Sequence, residues 1–593
     1  MHDEYGGVQL LGNVSWNPLD SDMPLRGRGI NPTQVSLRQI QKWRKSCQSA
    51  HGKTCQPAPW SLHLNRIRMI DVKKFCIVKP PQNTRYHYVA LSYVWGTMDH
   101  LKLSNETQDR LMRPGGLSDL FQDIPKTIKD AMHLTAQLGE TYLWVDAICI
   151  KQDDPLDREV QIENMGSVYA CANLTIAGAA GSDANAGLPG LQPNSRSAKQ
   201  HQAKINGHQL ISTRRPYSLS MKHSTWNNRG WVFQEVNLSR RILVFTEDQM
   251  FWHCQSAIWC EDTNLEIPPE LGHSALDKQH HHTHGKVPID LRPIKRYFLL
   301  ISQYSRRQLT DENDSIHAIR GLLNLVFPVY HYGLPQEHFD SAMVWSAFRH
   351  CPTSRRNLFP SWSWAGWDLS STNGEPGLEF DGKSLFGIKS EVVWAHKNLK
   401  LDVASQSDSQ NSTIRTPDAM EAEEYWKASL RVVEQKPTHP SPTIMQLPCQ
   451  HLLCFYTTSA MLSVDRVPFT AAAHGTSRCF KVRAPDPGTF SLVGPSKSRR
   501  LVTMLFIDAE WRAQQPDELE FIVIARNTFG FKLQFERTAP MLKEFWPPGQ
   551  AGLYVMLVER KDGLVFRVQM APDPVPIEIW NSLKLEWKYI VMG

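Results

Sequence analysis

The chain has 593 residues, 41% of them hydrophobic and 21% charged. These are ordinary globular values, with material for a large core spread over about three to four domains. The formal net charge of +6 is small for this length and gives no reason to invoke nucleic acid or an anionic lipid surface.

The start, Met1-His-Asp-Glu-Tyr-Gly-Gly, lacks the basic and apolar segments of a secretory signal, and no apolar run reaches the 18 residues of a membrane span. Eleven cysteines are scattered along the chain, with Cys149, Cys171 and Cys454 inside apolar runs, so the expected compartment is the reducing cytoplasm. Residues 1–85 read as an irregular lead-in, a short helix and a hairpin. Ser36 caps the helix, which carries Leu37, Ile40, Trp43 and Cys47, and the hairpin over 62–79 turns at Asp71-Val-Lys-Lys. Cys47, His51 and Cys55 recur every four residues, and two thiolates with an imidazole suit zinc. Gly52 and Pro57 end the helix near His51, however, and no fourth ligand is apparent, so no metal is assigned and the trio reads as structural.

A module over 86–260 comes next. Tyr88–Gly96, Tyr-Val-Ala-Leu-Ser-Tyr-Val-Trp-Gly, predicts a buried strand over 87–93 that gives way to a loop. Pro125 opens a helix that stops at Gly139, with Ile128, Ala131, Thr135 and Leu138 at helical spacing. A strand is predicted over 142–148, then a helix started by Asp154-Pro155 that carries Ile162, Met165, Tyr169 and Ala172 on one face. Leu174-Thr-Ile-Ala-Gly-Ala is the next strand. This β-α-β-α-β order predicts a parallel sheet with right-handed crossovers. A polar insertion spans about 187–207, Trp226–Val236 reads as one helix, and Arg241-Ile-Leu-Val-Phe and Gln249-Met-Phe-Trp-His form a hairpin. Residues 261–402 form a mixed, largely helical region. It contains a loop with His280, His281, His282 and His284, and the aromatic run Phe359–Trp367, which reads as core. A polar linker covers 403–427, and 428–593 shows the short strands of a mainly β domain.

Open α/β sheets present ligand sites at the carboxyl ends of their strands. The candidates are therefore the polar and aromatic groups that interrupt the apolar runs. Ser92, Tyr93, Trp95 and Gly96 follow the first strand, Asp146 interrupts the second, and Trp231 and Glu235 lie one turn apart on a helix. The structural alternatives are an aromatic cluster around Trp95, a hydrogen-bonded carboxylate at Asp146, and a Glu235 paired with Arg240 or Arg241 beside a core Trp231. No Gly-x-Gly-x-x-Gly follows the first strand, which disfavours a dinucleotide oxidoreductase.

Three blocks in one order carry a resemblance. They are Ala90-Leu-Ser-Tyr-Val-Trp-Gly96, Leu143-Trp-Val-Asp-Ala-Ile-Cys-Ile-Lys-Gln152 and Arg229-Gly-Trp-Val-Phe-Gln-Glu235, with Ile124–Asp130 and Met165–Tyr169 between them. The segment 88–236 resembles the fungal heterokaryon-incompatibility (HET) domain family, departing from it at Lys151, where many members carry Asn. The resemblance implies an α/β module with a parallel, TIR-like (flavodoxin-like) sheet, and a role in non-self recognition and an innate-immunity-like cell-death response. The family's remote similarity to TIR domains matches Ser92-Tyr93, Asp146, and Trp231 with Glu235 to the TIR elements. It implies Glu235 as the catalytic carboxylate of NAD cleavage, with Ser92, Tyr93, Trp95, Asp146 and Trp231 binding the substrate and no resident cofactor. A self-associating signalling module without chemistry, acting as a homo-oligomer or with an unknown protein partner, stays open, as does an accessory protein with no death function.

Overall fold

The computed structural model describes residues 8–10, 26–59, 64, 66–80, 86–196, 199–264, 266, 286–287, 291–347, 354–370, 378–379, 388–394, 452–468, 479–485, 499–527 and 552–593. The histidine cluster at 280–284 and the 403–427 linker lie outside them. The chain divides into two compact units, Met1–Leu291 with Gln308–Leu325, and Arg292–Arg307 with Val326–Gly593. Among the described residues no helix is long and apolar enough to cross a membrane.

The first unit is built on an eight-stranded sheet. Its strands are β1 (Met69–Asp71), β2 (Cys76–Val78), β3 (Tyr88–Ser92), β4 (Tyr142–Trp144), β5 (Leu174–Gly178), β6 (Arg241–Phe245), β7 (Met250–Cys254) and β8 (Ile258–Cys260). Across the sheet they run β8-β7-β6-β5-β3-β4-β1-β2. The four central strands are parallel, and an antiparallel hairpin flanks them on each side. In chain order the parallel strands lie second, first, third, fourth. The chain therefore reverses direction between β3 and β5, the topological switch point at which open sheets leave a crevice beyond their strand ends.

Helix α1 (Leu37–Ala50) precedes the sheet, and α2 (Lys126–Gln137), α3 (Pro155–Cys171) and α4 (Gly230–Leu238) cross between the parallel strands. Right-handed crossovers in opposite directions place α2 on one face and α3 and α4 on the other. Side chains on β3 alternate accordingly. Tyr88 donates its phenol to Val168 O on α3, and Ser92, four residues on, reaches the same face. Asp154 caps α3 by accepting from Leu156 N and Asp157 N, both at 3.1 Å, with Pro155 at the first helical position. Replacing this cap, Asp154→Ala, lowers stability by about 1 kcal/mol, read as a shift of the urea midpoint at unchanged slope; an unchanged midpoint would show that the cap contributes nothing.

Three elements differ from the sequence reading. The second parallel strand stops at Trp144, and Asp146–Cys149 forms a helical turn instead. A short buried apolar run is compatible with either state, and the bond from Ala147 N to Asp146 Oδ1 (2.8 Å) helps turn the backbone here. The helix expected over Trp226–Val236 is two pieces, Thr225–Asn228 and α4, separated by Arg229 in extended conformation (φ −77°, ψ 140°). The polar insertion runs past 207. It carries a hairpin of Gln202–Ile205 and His208–Ser212 that turns at Asn206 and Gly207, both at positive φ, and pairs with Val8–Leu10.

The second unit is mainly β. Its described strands include Leu453–Val464, Cys479–Pro485, Arg499–Phe506, Glu518–Asn527, Gly552–Lys561, Leu564–Met570 and Glu586–Met592 in one sheet. Phe480, Leu505, Phe521, Val555 and Trp580 fill its core. Trp362, Trp364 and Trp367 of the aromatic run are buried, as core side chains. Buried Arg567 stacks on Trp345 at 3.4 Å and donates to Met343 O and Trp345 O, which supplies partners for its charge.

Candidate functional site

The site lies where β3 ends. Ser92, its last residue, is 2% exposed and sits beneath α4. Its hydroxyl donates to Glu235 Oε2 and accepts from Trp226 Nε1 at 2.7 Å, so its proton and one lone pair are both used. The extended Arg229 lies between these two partners in sequence, and its guanidinium donates to Tyr93 O at 2.8 Å. The break is held by a reciprocal backbone pair, with Gly230 N donating to Gln308 O and Gln308 N to Asn228 O, both at 2.7 Å. From α3, Tyr169 donates to Leu91 O at 3.1 Å and faces Glu235.

Asp146 stands at the end of the neighbouring strand. Its Oδ2 accepts from Trp95 Nε1 at 2.8 Å, and the Trp95 ring meets His100 edge-on at 5.3 Å. Buried Tyr93 lies beside Asp146 and Arg229. Gly96 closes the loop at φ +76°, and a Cβ there would stand 2.5 Å from Asp183 Cβ. Gly96→Ala therefore combines left-handed strain with a clash and costs about 2 kcal/mol or more; a thermal-unfolding midpoint equal to wild type would contradict this.

The electrostatics follow from burial. Glu235 is 7% exposed, and loss of hydration pushes its carboxyl up from 4.5 to about 7. The Ser92 hydrogen bond opposes this, the Asp146 charge adds to it, and Arg229 and Tyr169 offset it further. Asp146 is also raised, first by desolvation, against its hydrogen bonds from Ala147 N and Trp95. The site thus holds a carboxyl that titrates near neutrality, a second carboxyl, a hydroxyl and a guanidinium. This is the equipment of general acid–base chemistry at neutral pH.

The structure brings Ser92, Tyr93, Trp95, Asp146 and Glu235 to one rim of the sheet. Trp231 departs from the group, since its indole donates to Asp314 at 2.9 Å, and Trp226 is the tryptophan that reaches Ser92. Glu235 accepts from Ser92, and Arg241, one of its two expected partners, donates to Asn173 O at 3.4 Å. The sequence reading missed Trp226, Tyr169 and Arg229 as members of the cluster. Each lay in a recognised segment, but Tyr169 joins the cluster only through the packing of α3 on the sheet, and the break at Arg229, which aims Trp226, leaves no periodic signal. Among the described residues, the group able to hold a metal ion lies elsewhere in this unit, around Cys47.

Residues 88–235 match the family model described as heterokaryon incompatibility protein (HET). This segment is a HET domain. The match opens at the first residue of β3 and closes at Glu235, the partner of Ser92. Heterokaryon incompatibility protein 6, OR allele, of Neurospora crassa is 33% identical over 105 residues. That similarity covers 17% of this chain and 15% of the relative's length. No solved structure matches the chain significantly. The matched segment holds three of the four parallel strands and both members of the Ser92–Glu235 pair.

Proposed function

We propose that this HET-domain protein acts in heterokaryon incompatibility, and that its HET domain triggers cell death by TIR-like cleavage of NAD at the nicotinamide–ribose bond. The observation that carries this reading is the buried Glu235 carboxyl, titrating near 7 and hydrogen-bonded to Ser92 at the switch point of the sheet. In the reaction nicotinamide leaves with the bonding electron pair, and an oxocarbenium-like ribose develops positive charge. Ionised Glu235 stabilises that charge, water adds to the ribose carbon, and the water's proton passes to the carboxylate. Ser92 orients the carboxylate, and Asp146 and Arg229 set its charge. Half-buried Trp95 offers aromatic surface to the substrate and buried Tyr93 backs the site beside Asp146, whereas Trp231, bonded to Asp314, is better placed to hold α4 than to stack on a base.

The test is nicotinamide release from NAD by the purified full chain. Glu235→Gln lowers the rate by about 100-fold or more, and the wild-type rate climbs as pH rises through about 7. Absence of nicotinamide release from wild type would sink the enzymatic reading. A second reading, a self-associating signalling module without chemistry, draws support from the low exposure of Ser92 (2%) and Glu235 (7%), which suits a latch fastening α4 to the sheet. Under it, Glu235→Gln retains toxicity and the same self-association by light scattering.

A further inference from the structure

We infer that the first unit contains a structural zinc site formed by Cys47, His51, Cys55 and Cys254. The sequence supplied three of these residues and no fourth. Folding brings Cys254, the last residue of β7, to the trio, and the four ligand atoms all lie within 4.8 Å of one another. Zinc–sulfur bonds of about 2.3 Å and zinc–nitrogen bonds of about 2.0 Å set the edges of a tetrahedron at roughly 3.5–3.8 Å. The separation of His51 Nδ1 from Cys254 Sγ, 3.3 Å, is close to such an edge.

The local structure explains the convergence. Cys47 lies in the last turn of α1, and His51 follows one turn later as its C-cap. Gly52, at φ +48°, then lets the chain tighten into the short 3-10 turn Gly52–Cys55, which carries Cys55 back toward the same point. Cys254 is fixed by its backbone bond to Ala257 O at 2.9 Å.

The surroundings fit a metal better than a pair of thiols. Cys47, Cys55 and Cys254 are all 0% exposed, and none forms a disulfide. A disulfide would satisfy two of three sulfurs and leave the third with the histidine, whereas one zinc uses all four groups. Three thiolates, a neutral imidazole and Zn²⁺ carry a net charge of −1. Lys286, 3% exposed, faces the three sulfurs and supplies the balancing cation, while donating to Ser239 O. The His51 ring packs on Trp259 at 5.5 Å, and Ser256 Oγ lies 3.7 Å from Cys55 Sγ, second-sphere contacts that orient the ligands. The metal would join α1 to the outer antiparallel hairpin, closing a loop of about 200 residues of chain, so binding would contribute directly to folding.

The test is the metal content of the full chain by plasma mass spectrometry after purification without chelators. Wild type carries about one zinc per chain, as do Cys149→Ser and Cys171→Ser, which change buried cysteines outside the cluster. Cys254→Ser loses most of the zinc, and Cys254→His, which restores a ligand, regains it. Because the serine variant can also fail through misfolding, cobalt is exchanged into wild type. A tetrahedral visible band with thiolate-to-cobalt charge transfer supports the site. Wild type without stoichiometric zinc, a disulfide among the three cysteines, iron in place of zinc, or full zinc retention in soluble Cys254→Ser would each overturn it.

Discussion

Trp226→Ala lowers the unfolding free energy of the HET-bearing unit by about 3–5 kcal/mol, the range for truncating a fully buried aromatic. Trp226 is 0% exposed and packs with Val94, Ala177, Val232, Val236, Ile242, Val244 and Phe251. Part of the loss is apolar area and the cavity left behind. The rest is polar, because the indole N–H is the donor to Ser92 at 2.7 Å. Trp226→Phe separates the two. It retains most of the ring contact and removes the donor, so it costs about 1–3 kcal/mol. The measurement is urea unfolding followed by tryptophan fluorescence and circular dichroism. An alanine variant within 1 kcal/mol of wild type would show that the cluster is not integral to the core.

The second large effect depends on pH. Glu235 is raised from 4.5 to about 7 in the folded protein, so between these values the native state holds a proton that the unfolded chain has released. Stability from this group is therefore full below about pH 4.5 and is lost as pH rises through about 7. The difference of 2.5 units between the two values corresponds to about 3 kcal/mol. Glu235→Gln, which cannot ionise, abolishes the decline over this window and is more stable than wild type at pH 8. Ser92→Ala removes a hydrogen bond that favours the ionised carboxylate, so the decline begins at the same pH and extends further upward. Unfolding measured from pH 4.5 to 8 reads both, and parallel profiles for wild type and Glu235→Gln would place the titrating group elsewhere.

Much of this architecture was legible in the sequence. The apolar run at Tyr88–Ser92, the helical spacing of Ile128, Ala131 and Thr135, and the Asp154-Pro155 start all report local physics, and they became β3, α2 and α3. The mainly β character of the described residues within 428–593 was readable for the same reason. What was not legible depends on contacts between distant segments. Nothing in Leu143–Cys149 distinguishes a long buried strand from a strand followed by a helical turn. Trp231 and Trp226 looked equally able to serve the site until Asp314 claimed one and Ser92 the other. Cys254 sits in an apolar strand some 200 residues from Cys55, and no spacing rule links the two.

The extended Arg229 also sets a limit on chain length. On an unbroken helix, at about 100° per residue, the nine positions from Trp226 to Glu235 would turn these side chains to opposite sides. They meet at one hydroxyl because a single extended residue resets the rotation between them. Adding or deleting one residue between Asn228 and Gly230 would swing one partner about 100° away from Ser92, whatever residue was chosen. Substitutions in this segment can be graded in their effects, but a change of length cannot, so natural variation here should alter side chains while leaving the count of residues fixed.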